Sequence, residues 1–439
     1  MKFRILKNGS HLDVAATALA LALGFACIPA GVQAAPQSVF LQALTCSSTD
    51  DWDDWEDDDW DDDWDDDWDD WDEPDRTGVL IRYNRVEGLA LGMRIKKDAW
   101  RAVGTRRPFI YGHWAYAFAA KEFQYRIGLE KGLFDRFRFG FGGEYHRAID
   151  TPDRWIIPDE ENSLAAVLIK EDFQDFYLRE GGSGYIAQNL TSAVTVTGEY
   201  RVDQFKSVEK HTNWSIFGGK KKFRSNPAMD EGELHSLNVG FTLDTRDSKQ
   251  KPTQGWLVRI DGEHAGDDLP GDFTFDRVLV DLRRYQPLGY SDGLDIRLRA
   301  GSAWGHPPWQ RTFHLGGLST LRAYRYKAFP NGPVQPGANR MLLGQIEYRL
   351  GSQDLPDEFD LGILEHFYIV LFADAGWVAE VDENLNWTEG FDGLDAEDFK
   401  SDVGLALTNR GGNVRFEIAR RTDTSVKPFM FWFRLNRPF

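Results

Sequence analysis

Phe429-Met430-Phe431-Trp432-Phe433-Arg434-Leu435-Asn436-Arg437-Pro438-Phe439 closes the chain. In an extended backbone, successive side chains point to opposite faces. Phe429, Phe431, Phe433, Leu435 and Phe439 therefore share one face, and Trp432, Arg434 and Asn436 share the other. One wholly apolar face over about ten residues, opposite a polar one, is the pattern of a tilted strand with lipid on one side and a wet lumen on the other.

The same alternation recurs upstream. Val414, Phe416 and Ile418 oppose Arg415, Glu417 and Ala419; Ile369, Leu371, Ala373 and Ala375 oppose Val370, Phe372 and Asp374. Leu342, Ile346, Tyr348 and Leu350 oppose Gln345, Glu347 and Arg349, and Leu294, Ile296 and Leu298 oppose Asp295, Arg297 and Arg299. Further strands are predicted near 78–87, 88–98, 110–120, 121–131, 136–148, 190–203, 234–244, 255–264 and 273–285, with a weaker one near 175–188. The count is about sixteen, or fourteen without the weak member, and an even number is expected of a single-chain barrel. A soluble sandwich would also alternate. Here, however, nearly every strand carries charge on its second face, which a barrel accommodates in its lumen without leaving strand edges. The fold class is an all-β transmembrane antiparallel barrel, residues 78–439. With residue 78 entering from the periplasm, 149–174, 204–233 and 305–339 become long external loops, and helical spacing over 160–177 predicts a short helix in the first of them.

The N-terminal zones differ in kind. Residues 1–34 read as a secretory signal, with Lys2, Arg4 and Lys7 before an apolar run from Val14 to Ile28 and small residues ending at Ala34. An uncleaved anchor would need a longer run, about 20 residues. A lipidated Cys27 fits poorly beside Gly24 and Phe25. Cleavage leaves Cys46 alone, so no internal disulfide forms. Residues 35–77 are an Asp/Trp-rich tail. The formal charge of -19 is matched by 19 acidic residues between 50 and 75, so the rest of the chain is balanced. Such a tail reads as solvated and disordered. Two functional readings stand beside that one. Carboxylates such as Asp61, Asp65 and Asp69 would hold a divalent cation weakly, without an EF-hand pattern, or the tail would engage basic or unfolded periplasmic or outer-membrane proteins. Its sign of charge excludes nucleic acid.

Five elements in order carry a family resemblance: Asp244-Thr245-Arg246-Asp247 with Pro252 and Gly255, Gly316-Gly317 through Leu321-Arg322-Ala323-Tyr324, Phe372-Ala373-Asp374-Ala375-Gly376, Asp402 to Ala406 with Arg415 to Ala419, and the strand ending in Phe439. Together they resemble the barrel of the BamA/TamA-type outer-membrane superfamily, also called the bacterial surface antigen family. The resemblance implies an outer-membrane barrel, in contact with lipid including lipopolysaccharide, whose long external loop folds into the lumen. It further implies that Arg322 meets Glu347 and Asp374 there. Strand parity independently puts both acids on the polar face.

Two departures stand out. Ala323 follows the arginine where the family has Gly, which would be strained if the position needed a left-handed backbone. The stretch between the signal and the first strand is also too short for the soluble POTRA modules of the family's assembly members. The function implied is assembly or translocation through a seam between residues 79–87 and 429–439, with the acidic tail in the periplasm. The competing reading is a passive pore or surface antigen whose lumenal Arg297, Arg299, Arg415 and Glu417 set ion preference. No nucleophile elbow, metalloprotease motif, phosphate loop or Cys/His metal spacing occurs, so neither an enzyme nor a cofactor is expected.

Overall fold

The computed structural model describes residues 77–439 apart from 96–107, 134–138, 267, 290–291, 351–366, 410–413, 424–428 and 436–438. The signal and the acidic tail, with Asp61, Asp65 and Asp69, lie outside the described residues.

Among the described residues, sixteen strands pair antiparallel in chain order into a single sheet that forms the barrel wall. They include β1 (Gly78–Asn84), β2 (Gly88–Ile95), β5 (Phe139–Asp150), β6 (Tyr177–Asn189), β7 (Val194–Ser207), β8 (Gly232–Asp244) and β9 (Gly255–Ala265). The second half comprises β10 (Thr274–Pro287), β11 (Gly293–His306), β12 (Arg340–Leu350), β13 (Phe367–Ala379), β14 (Lys400–Asn409), β15 (Arg415–Arg421) and β16 (Phe429–Arg434). The weak member near 175–188 is β6, a long strand. Its alternation is blurred by Gly181, Gly182 and Gly184, and at Gly181 a Cβ would lie 2.0 Å from the Val202 carbonyl oxygen of the neighbouring strand.

Burial follows the predicted parity. Ile369 and Leu371 of β13 are exposed while Val370, Phe372 and Asp374 are buried; Phe416 of β15 is exposed between buried Arg415 and Glu417. Phe429, Phe431 and Phe433 are exposed on β16 and Arg434 is buried. An apolar exterior around a charged interior inverts the usual soluble arrangement, and lipid is the solvent it suits. The parity does not extend to the C-terminus. Leu435 is half-buried and Phe439 is only 9% exposed, so neither joins the exposed phenylalanines. The strand stops at Arg434, whose side chain turns inward.

Among the described residues, the long connections are 151–176, 208–231, 307–339 and 380–399, at the end of the barrel where β1 turns into β2. The predicted helix is α1 (Asp159–Ile169), shorter than the spacing implied. It stops because Lys170 adopts a left-handed backbone (φ 62°) whose N–H returns to the Ala165 carbonyl. The side chain of Asn162 then accepts the Phe173 N–H at 2.7 Å, holding the chain that leads into β6.

The main apolar cluster lies in the lumen. Leu315, Leu321, Ala323 and Tyr324 of the 307–339 loop pack against Leu343, Val370, Phe372, Ala406 and Ala419 of β12 to β15. The loop enters the barrel and takes the place of a core.

Candidate functional site in the barrel lumen

The loop turns back on itself through two glycines. Gly316 (φ 122°) and Gly317 (φ 84°) occupy backbone conformations that side chains rarely adopt, and a Cβ on Gly316 would meet the Arg325 carbonyl oxygen at 2.5 Å. An antiparallel bridge between Leu315 and Phe329 closes the base. Inside it, the Thr320 hydroxyl accepts the Gly316 N–H at 3.0 Å and Gly317 N–H bonds the Leu321 carbonyl at 2.9 Å. These bonds fix the tip carrying Ser319 to Tyr324.

Arg322, at the tip, is fully buried. Its Nε and Nη2 donate to the two oxygens of Asp374 on β13 at 2.7 Å each, a bidentate pair. Its Nη1 donates to Glu347 on β12 at 2.5 Å and to Glu417 on β15 at 3.3 Å. The guanidinium carbon also lies 3.5 Å from the centre of the Phe372 ring. Arg415 completes the cluster, with both Nη atoms 2.8 Å from Glu347 and Nε 2.5 Å from Glu417. Two arginines thus share three carboxylates.

The backbone of the tip is held as well. Trp432 of β16 donates its indole N–H to the Arg322 carbonyl at 2.6 Å. Asp402 of β14 accepts the Ala323 N–H at 3.0 Å, while Arg421 donates to the Ala323 carbonyl at 3.1 Å. Ala323 is absent from the left-handed region, so alanine there is unstrained; in this loop Ser319 and Lys327 take that conformation. The Tyr324 hydroxyl bonds Asp423, and the Arg421 guanidinium covers its ring at 4.3 Å. On the other flank, the neighbouring loop supplies Asp153, which accepts from the Tyr326 hydroxyl at 3.0 Å and from Lys327 at 2.8 Å; Asp175 takes Lys327 at 2.7 Å.

This combination of fold and site matches a known family. The description "Omp85 superfamily domain" fits residues 168–431, more than half of the chain. The chain belongs to the Omp85 superfamily.

A second description, the C-terminal domain of a family of unknown function, DUF5686, fits residues 74–242 of this Omp85 protein. The outer membrane protein assembly factor BamA of Nitratidesulfovibrio vulgaris is 25% identical over 317 residues, covering 66% of this chain. That match spans 37% of the relative's length. Among solved structures, BamA from Haemophilus ducreyi lacking POTRA domains 1-3 aligns with a TM-score of 0.54 at 14% identity, over 82% of this chain and 70% of that one. CdiB from Acinetobacter baumannii aligns with a TM-score of 0.42 at 11% identity, over 81% and 58%. The barrel is therefore a bacterial outer-membrane barrel akin to assembly factors.

The structure brings Arg322, Glu347 and Asp374 together. Gly316, Gly317 and Leu321 shape the same tip, and Tyr324 anchors it to β14 and the loop after β15. The turn residues form a separate site between β8 and β9. Asp244 takes a bidentate pair from Arg246 (2.9 and 2.7 Å), and Asp247 accepts the Thr253 and Gln254 N–H groups at 2.9 and 3.1 Å. Gly255 has φ 111°, and a Cβ there would sit 2.2 Å from the Thr245 carbonyl oxygen, while Pro252 is buried just before it. Phe429, Phe431 and Phe433 face outward, away from the site.

Sequence reasoning does not tie Arg415, Glu417, Asp402 or Trp432 to the arginine loop. Glu417 and Asp402 both belong to the family motifs, and Arg415 and Glu417 fall in the lumen by parity, but parity alone links none of them to the loop. Register would have found Asp402: it stands opposite Asp374 across the β13–β14 ladder. Arg297, Arg299, Arg415 and Glu417 lie inside the barrel, but each is buried, and Arg297 and Arg299 are bonded to Asp281. Among the described residues, no group of His, Cys, Asp and Glu is arranged to hold a metal.

Proposed function

We propose that this Omp85 protein assembles or transfers β-strand clients through a lateral seam between β1 and β16. The observation that carries the reading is the way the edges are served. Tyr83 of β1 donates its backbone N–H to the Ser163 hydroxyl at 3.1 Å, and Leu435, just past β16, donates its own to Glu161 at 3.1 Å. Both acceptors are side chains of α1. A client strand offers backbone carbonyls, which can replace side-chain acceptors one for one, as in strand addition at any open sheet edge. The arginine loop would act as a fixed inner support for β12 to β16 while the seam exchanges partners.

The passive-pore reading is weaker. The four lumenal side chains that would set ion preference are buried against the loop and against one another, with little surface left to face a water column.

Locking α1 to both edges tests the proposal. In a Cys46→Ser background, the pairs Tyr83→Cys with Ser163→Cys and Glu161→Cys with Leu435→Cys are bridged by a short thiol crosslinker. The protein is then reconstituted in vesicles with unfolded outer-membrane barrels, whose folding is followed by heat-modifiable gel mobility. Client folding should fall to the protein-free rate when crosslinked and recover on reduction. Unchanged folding under full crosslinking would remove the seam from the mechanism.

A further inference from the structure

Helix α1 makes contacts that change side along its length. Its first turn is lumenal. Asp159 lies 3.6 Å from Arg82, whose guanidinium is held on the inner face of β1 by Glu87 and Gln124, and Glu161 takes Arg434 at 2.6 and 3.2 Å. Arg434 is itself buried and donates to Ser319 of the lumenal loop at 3.0 Å. One turn on, Ser163 sits at the strand edge, accepting the Tyr83 N–H. The next turn is outside. Ala166 and Val167 pack with Phe223 on the Tyr83 ring, and Tyr83 shares its face of β1 with Val79 and Ile81, which are 74% and 66% exposed.

A helix that touches the inner face, then the edge, then the outer face must cross the wall. We propose that α1 passes through the β1–β16 seam and presents a lipid-facing stretch of barrel wall made of helix and loop, whose occupant is lipid of the outer leaflet.

The outward surface fits that occupant. Leu164 and Leu168, one turn apart, and Ile169 are 44%, 37% and 53% exposed. The loop between β7 and β8 extends the patch: Ile216 and Phe217 donate their N–H groups to the Val167 and Leu168 carbonyls at 2.8 and 2.9 Å, which satisfies the helix end, and both side chains are exposed beside Trp214. Backbone groups in hydrocarbon need such partners. The patch is continuous with Val79 and Ile81 of β1, whose exposed apolar face belongs to the lipid belt. Directly after Phe217 come two glycines and then Lys220, Lys221 and Lys222, all exposed, with Lys221 paired to Glu171. Ammonium groups next to an apolar surface suit the boundary where acyl chains meet anionic headgroups. The inference does not depend on client transfer, since α1 lines the wall whether or not the seam admits a strand.

The test uses the full chain with Cys46→Ser in vesicles of phosphatidylcholine with anionic phosphatidylglycerol. Single cysteines at Leu164, Leu168 and Phe217 are nitroxide-labelled and their accessibility to oxygen and to a water-soluble nickel chelate is compared. Ile81→Cys provides the lipid reference and Glu397→Cys, in an exposed loop, the aqueous one. The three sites should group with Ile81, oxygen-accessible and shielded from nickel by several-fold. Grouping with Glu397 would overturn the proposal. Heat-modifiable mobility checks that each variant is folded. Crosslinking of Tyr83→Cys to Ser163→Cys provides a second readout: it should go to completion in folded protein, and failure there would also overturn it. Replacing Lys220, Lys221 and Lys222 with Ser should raise nickel access at Phe217→Cys only in the anionic vesicles; an equal change in pure phosphatidylcholine would refute the headgroup contact.

Discussion

Replacing Arg322 with alanine removes five contacts at once, and their redistribution sets the expected cost. Glu347 would keep both bonds from Arg415, and Glu417 would keep its bond from Arg415 Nε. Asp374 would retain one donor, the Gln345 amide at 3.1 Å. The buried charge left uncompensated is therefore that of Asp374. Breaking a buried pair by deleting one partner costs about 3–5 kcal/mol, mostly because the survivor is stranded. At about 1.4 kcal/mol per decade, the population with the loop undocked should rise by about 10² to 10³·⁵. Hydrogen exchange of the 315–329 backbone in lipid nanodiscs reads this directly, since the Ala323 N–H is bonded to Asp402 of β14 only when the tip is docked. The same reasoning predicts a partial rescue. Asp374→Asn in the Arg322→Ala background removes the stranded charge and should recover about 2 kcal/mol, whereas Glu347→Gln in that background should recover less because Arg415 already serves Glu347. An exchange rate within threefold of the parent, or a better rescue by Glu347→Gln, would refute the argument.

Two further outcomes follow from the loops. At the turn between β8 and β9, Asp247→Ala removes acceptors for Thr253 and Gln254; the site is exposed, so the loss should be about 1 kcal/mol in urea unfolding, with lumenal loop protection unchanged. In the lumen-entering loop, burial and then the Lys327 ammonium push the pKa of His314 down to about 3, and its Nε2 donates to the Gln335 carbonyl at 3.1 Å. His314 is neutral when docked and takes up a proton when released, near its ordinary pKa of about 6.5, so docking should lose stability as pH falls below that value and go on losing it towards 3. Protease sensitivity of 307–339 should rise between pH 7.5 and 5, and His314→Gln should flatten the rise; an equal slope in both proteins would exclude His314 as its source.

The wall of this barrel was legible because lipid and lumen impose opposite demands on alternate residues. The pattern Ile369-Val370-Leu371-Phe372 states which side each residue takes without reference to any distant part of the chain. Parity likewise put Glu347 and Asp374 inside, and the glycine pair at 316–317 marked a tip that had to turn sharply. What parity cannot supply is height. Asp402 and Glu417 sit on legible strands, but whether they reach the Arg322–Ala323 tip depends on the stagger of β14 and β15 against β13. That stagger is fixed by the ladder as a whole. Helix α1 was legible as a helix and illegible as a wall element, because its exposed Leu164 and Leu168 read as one stripe of an ordinary surface helix. Only the positions of Tyr83 and Arg434, nearly the whole length of the barrel sequence apart, show what lies on either side of it.

β16 is the point where these elements meet, and this constrains how the seam can open. Its inward residues do not face water. Trp432 holds the Arg322 carbonyl, and Arg434 holds both Ser319 of the loop and Glu161 of α1. Outward, Phe431 and Phe433 face lipid and cost nothing to slide along β1. A movement of β16 away from β1 that keeps it on the loop breaks the bonds to Glu161 and the one from Arg434 to the Ile156 carbonyl (3.5 Å), while a movement that carries it inward or outward must also release the loop tip. The first is the cheaper by the bonds to Trp432 and Ser319. On the proposed function, seam opening is therefore expected to begin with α1 leaving Arg434 and Leu435 while the arginine loop stays docked. On that ordering, Glu161→Gln should raise exchange at the Tyr83 and Leu435 N–H groups by at least tenfold with the 315–329 segment unaffected. Parallel loosening of both would mean that loop and helix open as one body.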